Sequence, residues 1–159
     1  MWLRSYLVTR DAPDERWETL RLIRNSCIDG LTGYRGIVSL TQQDKYRDMF
    51  DANTTRHYLF YDGDRAVGFG VIKHVGPGKC QPSLGVAKWE RGMGYGWAVA
   101  QLVLLLAGED MVGELYLDNK AIQHIDYALG WYPVGEPQGD VQPVECKWPP
   151  PFVRLGVRR

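Results

Sequence analysis

The amino-acid sequence predicts an α+β fold, a mixed arrangement of about seven strands and four helices, on three observations. Strand-like and helix-like segments follow one another in the order β, α, α, β, β, β, α, β, α, β, β. Three successive β-rich runs between His57 and Val86 are joined by tight reversals, which makes them antiparallel neighbours. The last of these runs feeds a glycine-rich turn, Gly92-Met93-Gly94-Tyr95-Gly96, and then an apolar helix from Trp97 to Ala107. Strand, turn and helix form one unit around which the chain is organised.

Taken in order, Trp2 to Val8 alternates as a first strand. Pro13 opens a helix through Cys27 in which Trp17, Leu20, Ile23 and Cys27 are spaced for burial. Gly30, Gly33 and Gly36 interrupt its continuation, and Thr41 with Asp44 three residues on has the form of a capping box for a second helix through Ala52. His57 to Tyr61 and Ala66 to His74 are strands joined across Asp62-Gly63-Asp64-Arg65, and Gly76-Pro77-Gly78 reverses the chain into the strand ending at Val86. Gly68 and Gly70 inside a strand mark a bulge or a close backbone approach. The helix after the glycine turn has a register that buries Val99, Val103 and Leu106. Glu114 to Leu117 reads as a short strand, and Asn119 opens a helix with Ile122, Ile125 and Leu129 on one face, ended by Gly130. A short strand to Val134 and another from Val144 to Trp148 complete the set.

The length supports one domain over residues 1–159, and 45% apolar residues are enough for a proper core. Pro149 to Pro151 stiffen a linker into a basic tail, Arg154, Arg158 and Arg159, which reads as solvated and functionally silent. Nineteen basic residues balance nineteen acidic ones, so no overall field draws the protein to nucleic acid or to an anionic membrane. The longest apolar run is too short to span a bilayer, and no signal peptide is legible. Cys27, Cys80 and Cys146 have neither disulfide nor zinc spacing, so no metal is expected and a cytoplasmic setting is the simplest.

The glycine turn suits a phosphate. Glycines let successive amide N–H groups point into one concavity at the positive end of a helix dipole, where a diphosphate is stabilised without many cationic side chains. Neither a Walker loop nor the dinucleotide Gly-x-Gly-x-x-Gly pattern is present. What is present, Arg91-x-x-Gly94-x-Gly96 after a strand ending at Val86, resembles the acyl-CoA pyrophosphate loop of the GNAT superfamily of N-acetyltransferases. Downstream, Asn119-x-x-Ile122-x-x-x-Asp126-x-x-x-Gly130-Trp131 resembles that superfamily's second signature, Asn-x-x-Ala-x-x-x-Tyr-x-x-x-Gly-Phe. Two patterns in this order are more specific than one, and the element order matches over nearly the whole chain.

The resemblance implies a central, mostly antiparallel, twisted mixed sheet with helices on both faces, and direct acetyl transfer from acetyl-CoA to a primary amine in a ternary complex. It places pantetheine contacts at Leu84, Gly85 and Val86, and diphosphate contacts on the amides of Arg91, Gly92, Met93, Gly94, Tyr95 and Gly96, with Asn119 contacting the pantetheine or ordering the acid. Plain N-capping is the other role open to Asn119. A backbone N–H near Val86 would meet the developing oxyanion.

The superfamily's acid is a Tyr four residues before the Gly of the second motif, and here that residue is Asp126, with Tyr127 about 100° further round the helix. Three readings stand: Tyr127 reaches the sulfur through a local helix shift, Asp126 faces the site, or the thiolate leaves into water. A phenol stays protonated at neutral pH without help, which favours Tyr127; ordinary helix packing is its other role. No carboxylate lies on Gln81 to Leu84, so water is expected to relay the amine proton, through Ser83 or His74, although His74 reads more readily as a surface strand-end residue. His124 reads as exposed on its helix.

The acceptor is expected from the side of residues 25 to 50, where Asn25, Tyr34, Arg35, Gln42, Gln43 and Tyr46 supply polar groups, and Arg24-Asn25 ahead of Gln42-Gln43 resembles members acting on amino sugars. Its expected class is a small-molecule amine, with nucleic acid and membrane set aside and a homodimer an expectation carried by the superfamily. A protein N-terminal or lysine acetyltransferase, and a catalytically silent acyl-CoA sensor, are the alternatives.

Overall fold

Alternation along β2 (Thr55–Asp62) separates two cores: Tyr58 and Phe60 face one, Leu59 and Tyr61 the other. The computed structural model describes residues 2–31 and 36–151. Around β2 lie β1 (Arg4–Leu7), β3 (Arg65–Gly76), β4 (Lys79–Val86), β5 (Asp110–Tyr116), β6 (Tyr132–Pro133) and β7 (Val141–Cys146). They form one seven-stranded sheet in the order β1-β2-β3-β4-β5-β7-β6, in which only the β4–β5 pair is parallel. Helices α1 (Asp14–Ser26) and α2 (Leu40–Met49) cover one face; α3 (Tyr95–Ala107) and α4 (Lys120–Leu129) cover the other. The α+β fold is therefore as the sequence predicts.

Trp17, Leu20, Ile23 and Cys27 bury the inner face of α1. Several boundaries differ, each for a local reason. The second helix starts two residues sooner because Ser39 and Gln42 cap it reciprocally, so Thr41 and Asp44 are not its box, and it ends at Met49. Trp2 stands outside β1 and is exposed. The buried stripe of α3 is Val99, Ala100, Val103, Leu104 and Ala107, because two adjacent rows of the helix face the sheet; Leu106 is only half-buried. β5 begins four residues before Glu114, at Asp110, and the last strand runs Val141–Cys146 rather than from Val144 to Trp148.

The strand glycines answer to both readings. A register shift opposite Phe60/Tyr61 marks a bulge, and a Cβ on Gly68 would lie 2.7 Å from Gly85 O. Gly33 and the tail residues Arg154, Arg158 and Arg159 lie outside the described residues. Among the described residues no helix is long and apolar enough to cross a membrane, and no group of His, Cys, Asp and Glu could hold a metal ion.

Candidate active site

β4 and β5 pair only at Lys79↔Asp110 and Cys80↔Met111 and then diverge, opening a cleft of about 530 Å³ between them. The register decides what β4 presents to it. Ala87 N–H donates to Val67 O at 2.8 Å and Gly68 stands opposite Val86, so antiparallel alternation turns the N–H groups of Val86 and Leu84 away from β3 and into the gap. Pro82, the next residue in that set, has no N–H to leave unpaired. The splay thus exposes two backbone donors in a row without orphaning a third.

At the end of β4 a single 3₁₀ turn, Lys88–Glu90, leads to Gly92 and Gly94, whose φ angles of +83° and +84° are ones L side chains rarely adopt. Gly94 is the N-cap of α3 and offers no side chain to its first-turn amides. Those donors, at the positive end of the helix, are therefore open to an external anion. The turn is anchored from behind: Arg65 donates to Glu90 at 2.6 Å and to the Tyr95 hydroxyl at 2.8 Å, and that hydroxyl donates to Asp62. The Tyr95 ring is buried, so only its main chain is left for a ligand.

Ser83, Leu84, Gly85, Val86, Arg91, Gly96, Asn119 and Asp126 all line the cleft. Gly92, Met93, Gly94 and Tyr95 shape the turn at its edge, and the Met93 side chain is exposed. Arg91 is less available than expected. Its guanidinium makes paired contacts of 3.1 and 3.2 Å to Asp29, and its Nε lies 3.4 Å from Val86 O, which also accepts from the Cys27 thiol at 3.2 Å. Arg91 also holds the Asp29 carboxyl below its usual range, while burial pushes the Cys27 thiol up. Asn119 accepts from Ile122 N–H at 3.3 Å and borders the cleft, so its capping and site positions coincide.

The two acid candidates part completely. Asp126 is 6% exposed and lines the cleft, and burial raises its carboxyl from 3.8 to about 7. Tyr127 is 38% exposed on the outer side of α4 and does not reach the cleft. The sequence preference for Tyr127 is corrected by rotation: a helix that buries Leu129 and half-buries Ile122 and Ile125 turns 126 inward and 127 outward. His124 is exposed, edge-on to Trp97, and His74 pairs with Glu109 at 2.7 Å, away from the cleft.

The expected acceptor groups are also redirected. Asn25 makes two bonds of 2.9 Å to the main chain of Val38, Gln42 caps α2, buried Gln43 donates to Trp17 O, and the Tyr46 hydroxyl sits 2.6 Å from His57 Nε2. All four fasten α1 and α2 rather than line the cleft. Tyr34 and Arg35 lie outside the described residues. Three carboxylates missed in the sequence do line it: Asp29, Glu114 and Asp118. A signal existed for Glu114, since strand alternation places it opposite in sense to Leu115; the Asp29–Arg91 pair spans 62 positions and left none.

No protein-family model matches the sequence, and no curated protein matches it. Solved structures share its fold. A spermidine N-acetyltransferase from Vibrio cholerae, in complex with CoA and spermine, superposes with a TM-score of 0.76 at 14% identity, covering 91% of this chain and 95% of its own. The Campylobacter jejuni N-acetyltransferase PseH gives 0.70 at 11%, covering 92% and 98%.

Proposed function

We propose, from the premise that this chain has the GNAT fold, that it transfers the acetyl group of acetyl-CoA to the primary amine of a small molecule. One observation carries the reading: the gap between β4 and β5 opens directly onto a helix N-terminus whose cap is glycine. That juxtaposition suits a ligand with an extended amide-bearing arm and a diphosphate at one end. The amides from Gly92 through Gly96 and α3's dipole would receive the diphosphate, and the exposed main chain of Leu84 and Val86 would bond the arm. Val86 N–H is then also the donor for the oxyanion formed when the amine attacks the thioester carbonyl.

Asp126 supplies the proton for the leaving thiolate. Burial keeps a large share of it protonated at neutral pH, and a desolvated carboxylic acid is a competent donor. Asn119 fixes the start of the helix that carries it. Ser83 stands on the opposite strand wall as a water-ordering hydroxyl.

Titration calorimetry with CoA and acetyl-CoA, followed by CoA-release assays over a panel of amines that includes a lysine peptide, tests the reading. Micromolar uptake and turnover of a small amine are the expected results. No uptake by folded protein would overturn it. The outward position of Tyr127 favours one second reading, a catalytically silent acyl-CoA sensor, whose signature is uptake without turnover of any amine.

A further inference from the structure

The sheet around the cleft has two unlike faces. On β4, Leu84 and Val86 pack toward the core under α3, whereas Ser83 and Gly85 face α1, since a Cβ on Gly85 would meet Cys27 Sγ at 2.7 Å. On β5, Met111 and Leu115 belong to the α3 core, which by alternation turns Glu114 and Tyr116 to the α1 side. Tyr116 confirms the sense by donating to Leu31 O at 2.8 Å. Glu114 and Ser83 thus border the cleft on the face opposite the glycine turn.

We propose that Glu114 receives the acceptor's ammonium group, and that the acceptor is an aliphatic diamine or polyamine with no carboxylate beside its amine. The proposal rests on the acetyltransferase reading. Glu114 lines the cleft, is exposed, and has no hydrogen-bond or ion-pair partner among the described residues. Its register partner on β7 is Pro143, which makes Glu145 its diagonal neighbour on the same face, a separation of about 7–8 Å. Glu145 likewise has no partner among the described residues. Two unmatched carboxylates at that spacing suit two ammonium groups on a short alkyl chain. Arg91, the only cation among the described residues lining the cleft, is already matched by Asp29, so nothing there offsets a carboxylate on the acceptor. Across the gap, Asp126 is 6% exposed and lines the cleft, and its carboxyl makes no side-chain hydrogen bond among the described residues, so it is left for a ligand.

In the reaction the bound ammonium gives up one proton through Glu114 to water before attack, and a second as the N–C bond forms. The C–S bond breaks, and Asp126 protonates the thiolate and recovers its proton from solvent. The sum is amide, thiol and one released proton.

The test compares 1,5-diaminopentane with L-lysine, which differ by a single carboxylate, and with 1-aminopentane, in wild type and three variants. Wild type is expected to prefer the diamine over lysine in kcat/KM by about 10-fold or more. Glu114→Gln should lower kcat/KM for the diamine by about 10- to 100-fold, mainly through KM, with CoA affinity unchanged and the preference over lysine reduced. Glu114→Asp should restore part of the loss, and Glu145→Gln should remove the diamine's advantage over 1-aminopentane. Turnover that is indifferent both to Glu114→Gln and to the acceptor's carboxylate would overturn this proposal alone. No turnover of any amine would remove the acetyltransferase reading, and this one with it.

Discussion

The two walls of the cleft are built from different materials. The β4–α3 wall is main chain: the splayed amides of Leu84 and Val86, two left-handed glycines and an uncapped helix start. The β5–α4 wall is side chains: Glu114 on one face, and Asp126 with Asn119 on the other. A backbone site needs particular conformations, and glycine at fixed spacing writes them into the sequence. A side-chain site needs particular directions, which depend on helix rotation and strand face and leave a fainter trace.

The largest effect should come from the side-chain wall. Asp126→Asn keeps shape but cannot donate an acidic proton, so kcat should fall about 100- to 1000-fold, within the range of general acid catalysis. Tyr127→Phe, one residue along but facing solvent, should change kcat less than about 2-fold. Both variants should bind CoA as wild type does. The reverse ranking in a CoA-release assay would show that α4 rotates on binding and would restore the tyrosine.

Next comes the main-chain wall. Gly94→Val puts a β-branched residue at φ +84°, a strain of about 1–3 kcal/mol, and CoA binding should weaken by about 30-fold. Gly63→Ala is the matched control: its φ is +61°, nothing lies within 4 Å of the added Cβ, and it sits in the β2–β3 turn. It should cost comparable stability in a urea melt and leave CoA affinity alone. Equal losses of CoA affinity in both would mean the turn is merely structural.

This difference explains what was legible. The element order, the strand ending at Val86 and the glycine turn were all readable, because turns and alternation are local. So was the composition of α1's buried face. The identity of the α4 residue in the cleft was not, since motif spacing marks residue 126 while residue chemistry argued for 127, and only the burial that lifts the Asp126 carboxyl resolves the two. The roles of Asn25, Gln43 and Tyr46 were illegible for another reason. Each is polar and near the expected acceptor side, but each is spent on a bond to Val38, Trp17 or His57, partners 11 to 26 positions away.

The smallest expected effect is an apparent absence of pH dependence, and it comes from two buried groups in the two cores. His57, beneath α2, is 3% exposed, its Nδ1 lacks a partner, and burial lowers it from 6.5 to about 4. As pH falls through this range the unfolded chain takes up the proton first, so stability drops, by about 3 kcal/mol in full. Asp126, in the other core, runs from 3.8 unfolded to about 7 folded, so here the folded chain holds the extra proton and stability drops as pH rises, by about 4 kcal/mol in full. Between about pH 4 and 6.5 the two proton uptakes cancel, and wild type should change by less than about 1 kcal/mol. The carboxyls of Glu18, Asp29 and Asp110 are held low by their partners, so their stabilisation is lost from the acid end of this window downward, in wild type and variant alike. Asp126→Asn removes one side of the balance. Urea melts of that variant should then show stability falling by about 3 kcal/mol from pH 6.5 to 4, and a flat profile would mean that His57 is not buried neutral as described.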